Sequence, residues 1–175
     1  MRILAVDPGP VNSAWVIWDG SEIVDFDKCE NESLMMRVSN CFLYLEEGGG
    51  GLLKPCTMLC DGDEMVIEQL ACYGKPIGRS ILDTAFYSGR LADRWEVATG
   101  RIAHLLERRT VKMHLTGSAK TKDKDIRQAL LNRFELGLTP RQRPQGMLKG
   151  ISHDVWSALA VAVVFFDQNY GGTDG

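Results

Sequence analysis

Arg2-Ile3-Leu4-Ala5-Val6-Asp7-Pro8-Gly9 decides how the rest of the chain is read. Residues 2–6 form a short apolar run that reads as a buried strand, and Asp-Pro-Gly closes it in a turn. Moving outward, Ala14-Trp15-Val16-Ile17-Trp18 is a second β-rich run. Asp19-Gly20 supplies a hairpin turn before a third strand over Glu22–Phe26, so the N-terminus predicts an antiparallel meander. A helix over Ser33–Glu46 follows, with Leu34, Val38, Cys41/Phe42 and Leu45 at helical spacing and Ser33 as cap. Residues 48–62 read as a loop.

Met65-Val66-Ile67 repeats the opening pattern, an apolar strand running into an acid, Glu68. After a loop at 74–78, Arg79–Val97 reads as a helix that buries Ile81/Leu82, Ala85/Phe86, Gly89 and Ala92. Val111-Lys112-Met113-His114-Leu115 alternates with period two and predicts a half-buried strand. Thr116–Lys122 is a basic loop, and Asp123–Phe134 a helix with Ile126, Ala129/Leu130 and Phe134 inward and Asp123 as N-cap. Residues 140–150 read as loop or disorder. Asp154–Asp167 is a mostly apolar helix that must be buried on most sides, and 171–175 a frayed tail.

At 175 residues the chain suits one domain, one that buries roughly 70% of its unfolded surface and carries its own core. The longest apolar run near the C-terminus, Ala158–Phe166, is too short to cross a bilayer, and an acid at position 7 comes too soon for a signal peptide. The expectation is a soluble cytoplasmic protein. Five cysteines at irregular spacing, with no CxxC, read as reduced thiols; Cys56 and Cys60 alone do not make a zinc site. The net charge of −3 hides a division: residues 1–100 carry 8 basic against 16 acidic side chains, whereas 101–149 carry 12 against 4. Such a basic stretch fits a polyanionic partner or a solvated face equally.

Asp7 and Glu68 each end an apolar strand, and Asp154 opens a buried helix. Asp7 has a bland reading as a turn cap and Asp154 as a helix N-terminal acid. Glu68 has neither, and a carboxylate at the end of a core strand is costly to desolvate without compensation. Three such acids together point to a divalent-metal site on a rigid scaffold.

Four blocks in order carry a family resemblance: Ile3–Gly9, Val66–Gln69, Val111-Lys112 with Gly117–Lys120, and Asp154–Ala160. Together they resemble the RuvC family of Holliday junction resolvases, in appearance closest to small phage-encoded members. The resemblance implies an α/β, RNase H-like fold: a five-stranded mixed sheet with helices on both faces, in one domain over 1–170. It implies that Asp7, Glu68 and Asp154 hold two Mg²⁺ ions, with Mn²⁺ able to substitute, that activate water and stabilise the leaving 3′ oxygen. The implied activity is Mg²⁺-dependent cleavage of four-way DNA junctions by a homodimer built on helix 79–97. Phe86, Tyr87 and Trp95 would lie at that interface or in the core.

The family's second acid, three residues after the third, is replaced by Ser157. A fourth metal contact would then come through water held by Ser157 or His153, or from Asp123. Lys112, Lys120, Lys122, Lys124 and Arg127 would neutralise phosphates, with Lys75 and Arg79 extending the surface. Tyr73 stands where a base-stacking aromatic would be useful and is equally an ordinary loop residue. Two other readings remain on this fold: a non-catalytic module binding branched DNA, and a nuclease for another branched or hybrid substrate. An actin-like ATPase would need two such domains, and Gly117-Ser118-Ala119-Lys120-Thr121 lacks the glycines of a P-loop.

Overall fold

The computed structural model describes residues 1–46, 63–71, 74, 76–135 and 146–171. The chain runs β1 (Ile3–Asp7), β2 (Asn12–Trp18), β3 (Ile23–Glu30), α1 (Asn31–Glu46), β4 (Glu64–Gln69), α2 (Arg79–Thr99), β5 (His104–Glu107), α3 (Arg108–Thr116), α4 (Asp123–Phe134) and α5 (Val155–Asn169). The strands form one sheet in the order β3-β2-β1-β4-β5. β1, β2 and β3 make the antiparallel meander, while β4 lies parallel to both β1 and β5. This is the mixed five-stranded sheet expected.

Strand alternation divides the core in two. Ile3, Ala5, Ala14, Val16, Trp18 and Val66 pack with α3, α4 and α5. Leu4, Val6, Trp15, Ile17, Met65 and Ile67 pack on the other face with α1 and α2. Helix α5 is buried almost all round, from Val155 through Phe165 apart from Ser157, because it lies directly across β1 and β2. Gly20, at φ +101°, stands where a Cβ would meet the Phe166 ring at 2.5 Å, so the β2–β3 turn and α5 approach closely only with glycine there.

Several expectations are corrected. Val111–Leu115 lies in helix α3, not a strand: Val111 and Leu115 turn inward one helical turn apart, and Met113 is largely exposed. The fifth strand is instead His104–Glu107, a four-residue edge strand. Helix α2 buries Thr84, Tyr87, Leu91, Trp95 and Ala98, whereas Leu82 and Phe86 face solvent. Helix α1 begins at Asn31, so Ser33 is not its cap. Lys122 caps α4, its backbone N–H bonded by the Asp125 carboxylate, and Asp123 is the first helical residue. Within 140–150, residues 146–150 form a turn that buries Leu148 completely. The loop at 48–62, Cys56, Cys60, residues 136–145 and the tail beyond 171 lie outside the described residues. Among the described residues no helix is long and apolar enough to cross a membrane.

On the α5 side, Asp167 ties three helices together. It accepts hydrogen bonds from Arg133 Nη1 and Nη2 at 2.6 and 2.8 Å and lies 2.8 Å from His114 Nε2. Burial alone pushes the Asp167 carboxyl up, but the bonds from Arg133 and His114 outweigh it and hold it below the ordinary 3.8. A depressed folded-state value stabilises the protein above the unfolded value, and that contribution is lost as pH falls through the folded one. Asp167→Asn should therefore cost about 1 kcal/mol at neutral pH, a figure discounted because Arg133 is partly solvated. Urea midpoints of the two proteins should converge as the pH is lowered below 3.8.

Candidate active site

Strand register places the acids. Asp7 pairs with Ala14, Ala14 pairs with Lys28, and Val6 pairs with Ile67, so Glu68 stands one step on, beside Asp7. Glu68 in turn pairs with Leu106. The row Lys28–Ala14–Asp7–Glu68–Leu106 thus crosses all five strands on the face covered by α5. Asp154, at the N-cap of α5, closes over the end of this row. Its carboxylate accepts a hydrogen bond from Lys28 Nζ at 2.6 Å.

Asp7 and Glu68 stand side by side on adjacent parallel strands, close enough for each carboxyl to act on the other. Burial and then the charge and hydrogen bond of Glu68 raise Asp7 to about 8; Arg108 opposes the rise and Asp154 adds to it. Glu68 is 5% exposed. Its counter-charge is Arg108, the first residue of α3, whose Nη1 donates to both Glu68 oxygens at 2.8 and 3.0 Å. Arg108 Nη2 donates to Asp123 at 2.6 Å. Burial disfavours the charged guanidinium, but Glu68 and Asp123 more than restore it and hold Arg108 above the ordinary arginine range.

The turn after Asp7 is held by a buried polar network. The Ser13 hydroxyl donates to Asn31 Oδ1 at 2.7 Å and accepts from the Gly9 N–H at 3.3 Å. Asn31 Nδ2 donates to the Gly9 carbonyl at 3.0 Å, and the Tyr87 hydroxyl donates to the Asn31 carbonyl at 3.3 Å. A Cβ on Gly9 would stand 2.3 Å from the Asn12 carbonyl oxygen, so this turn accepts only glycine without moving.

Asp7 and Glu68 are brought together, and Asp154 faces them from α5 while engaged with Lys28. Among the described residues no group of three His, Cys, Asp or Glu is gathered tightly enough to hold a metal in this arrangement. The donor set nevertheless suits a hard divalent cation: two adjacent carboxylates supply four oxygens, and a cation there would relieve the repulsion that raises Asp7. The third is held by Lys28 in an ion pair whose partners are 53% and 44% exposed, cheap to exchange. His153, at φ +43°, and Ser157 line a cleft of about 700 Å³ together with Asp123, Lys124, Arg127, Trp156 and Asp154. Arg127 lies 4.9 Å over the Trp156 ring, and its Nε has no hydrogen-bond partner.

Lys112 sits four residues along α3 from Arg108, and Lys120, Lys122 and Lys124 are exposed around the start of α4. Arg79, at the start of α2, is paired with Asp83 at 3.7 Å and its side chain is 94% exposed. Tyr73 and Lys75 lie outside the described residues. Sequence reasoning missed Lys28, Arg108, Ser13 and Asn31. An edge strand at 104–107 puts Arg108 just past its carboxyl end, two residues beyond the partner of Glu68.

No family model and no curated protein matches the sequence. Among solved structures, Thermus thermophilus RuvC superposes with a TM-score of 0.60 at 14% identity, over 96% of both chains. The same organism's RuvC in complex with Holliday junction substrate gives 0.55 at 15% identity, covering 94% of this chain and 92% of that one. At such identity the likeness is one of fold: the chain has the RuvC/RNase H-like α/β fold.

The Ser13–Asn31 network makes a direct prediction. Asn31→Ala takes away the acceptor of the buried Ser13 O–H and the side-chain donor to the Gly9 carbonyl, at a cost of about 2–4 kcal/mol. Chemical denaturation would show a clearly lowered midpoint; an unchanged midpoint would mean the network does not hold the turn.

Proposed function

We propose that the chain is a structure-selective endodeoxyribonuclease that cuts four-way DNA junctions by divalent-metal-dependent hydrolysis of a phosphodiester. The observation that carries this is the adjacent Asp7–Glu68 pair beneath Asp154, at the carboxyl ends of two parallel core strands. The likeness to a RuvC solved with junction DNA supports the substrate class. In this reading Asp7, Glu68 and Asp154 hold two Mg²⁺ or Mn²⁺ ions. When bound, the ions supply Lewis-acid stabilisation of the phosphoryl oxygens and lower the pKa of the attacking water.

The chain's own residues supply the rest. Rigid strands fix the two carboxylates, and Lys28 holds Asp154 until it is needed. Ser157 lies one helical turn from Asp154, on the same face, and orients water there. Lys112, Lys120, Lys122, Lys124 and Arg127 take the DNA phosphates, with Arg127 braced against Trp156; Lys75, Arg79 and Tyr73 extend the contact. A junction has two-fold symmetry, so two symmetric cuts call for a homodimer. The exposed Leu82 and Phe86 on α2 supply its apolar surface.

A second reading, a binding module without catalysis, is favoured by Ser157 in place of an acid and by Arg108 seated on Glu68. Labelled four-way junction, linear duplex and RNA–DNA hybrid, each with Mg²⁺ or EDTA, separate the readings. Symmetric nicking of the junction alone, dependent on Mg²⁺, is expected; tight binding without cleavage supports the module, and cleavage of the hybrid reassigns the substrate.

Asp7→Asn, Glu68→Gln and Asp154→Asn should each abolish cleavage while junction binding persists, because groups acting as a unit are not additive. One variant cutting at full rate removes that residue from the centre. Replacing Lys120 and Lys122 together should weaken junction binding and flatten the salt dependence of log K by roughly 0.9 per lost phosphate contact. An unchanged slope would leave both lysines merely solvated.

A further inference from the structure

Arg108 sits on Glu68, yet the proposed hydrolysis assigns it no task. Its Nη1 spans both oxygens of Glu68, so the carboxylate of a nearly buried side chain is covered by a cation that belongs to the chain itself. A second hand, Nη2, holds Asp123 at the exposed start of α4. Two cations on one carboxylate repel strongly where solvent screening is weak. Arg108 and a divalent ion therefore compete for Glu68.

We infer that Arg108 is a positioning residue that serves as an exchangeable counter-ion: it holds Glu68 when the site is metal-free and yields it to the incoming divalent cation, retained meanwhile by Asp123. This rests on the metal-site reading above. The geometry makes the exchange feasible. Arg108 is the first residue of α3, so its long side chain swings without disturbing the helix, and its side chain is about one-third exposed. Asp123 is 73% exposed and bonded at 2.6 Å, so the released guanidinium keeps a partner and stays close. Without Arg108 the metal-free protein would face Glu68 against Asp7 with no opposing charge, which destabilises the fold and deepens the site's demand for a cation.

The test uses the full chain, stripped of metal, in wild-type, Arg108→Gln, Arg108→Lys and Glu68→Gln forms. Mn²⁺ binding is measured by calorimetry, and melting temperature with and without Mn²⁺. Arg108→Gln should bind Mn²⁺ about tenfold more tightly, the order expected when a charge-assisted competitor is removed. It should melt lower than wild type without metal and gain more on adding Mn²⁺. Arg108→Lys keeps the charge but cannot span both oxygens, so it should fold and fall between the two, which preserves the test if the glutamine variant does not fold. Glu68→Gln should lose Mn²⁺ binding. Wild-type or weaker Mn²⁺ affinity in both Arg108 variants, with Glu68→Gln still deficient, overturns the exchange alone and leaves Arg108 a structural tie. Mn²⁺ binding unaffected by Glu68→Gln overturns the metal-site reading, and the exchange with it.

Discussion

Two carboxylates pressed together on a core sheet need an answering charge. Asp7 and Glu68 meet because β1 and β4 run parallel in register, with their carboxyl ends level. The structure answers the pair with the Arg108 guanidinium on Glu68, while burial and the Glu68 charge push the Asp7 carboxyl up to about 8. One arginine on one of the two carboxyls still leaves Asp7 strongly perturbed, which is why the pair reads as a binding site more readily than as a structural feature.

The rest of the scaffold keeps that row of side chains in place. The apolar α5 lies over β1 and β2 and fixes Asp154 at its end, while α3 starts immediately after the edge strand and so delivers Arg108 to Glu68. On the opposite face α1 and α2 hold the sheet from behind. The buried Asn31 bonds the turn that follows Asp7 and is itself held by the Tyr87 hydroxyl, so the meander and the acid pair share one support.

Much of this was legible in the sequence, for physical reasons that differ by element. The opening meander shows because strand and turn residues alternate cleanly, and α4 shows because its apolar spacing is regular, although its cap is Lys122 and not Asp123. The three acids stand out because each interrupts or bounds an apolar run. Residues 111–115 misled because Val111 and Leu115 satisfy period two and a one-turn helical spacing alike; the helix prevailed since Gly117 ends it in a left-handed cap at φ 72°. β5 was hidden by its length and position, four edge residues of which only Leu106 is buried. The inner face of α2 was misassigned because its buried stripe includes Thr84 and Tyr87 while Leu82 and Phe86 remain outside. Arg108 and Lys28 escaped notice because counter-charges are set by tertiary pairing, which spacing along the chain does not encode.

The central claim is that Asp7, Glu68 and Asp154 form one divalent-metal centre. Crystals of the protein grown or soaked with Mn²⁺ and measured at a wavelength where manganese scatters anomalously test it most directly. The account predicts an anomalous peak coordinated by the Asp7 and Glu68 carboxylates, with Asp154 turned from Lys28 toward the metal. Fully occupied Mn²⁺ sites elsewhere, with the Arg108–Glu68 and Lys28–Asp154 pairs intact and no peak between Asp7 and Glu68, would contradict it.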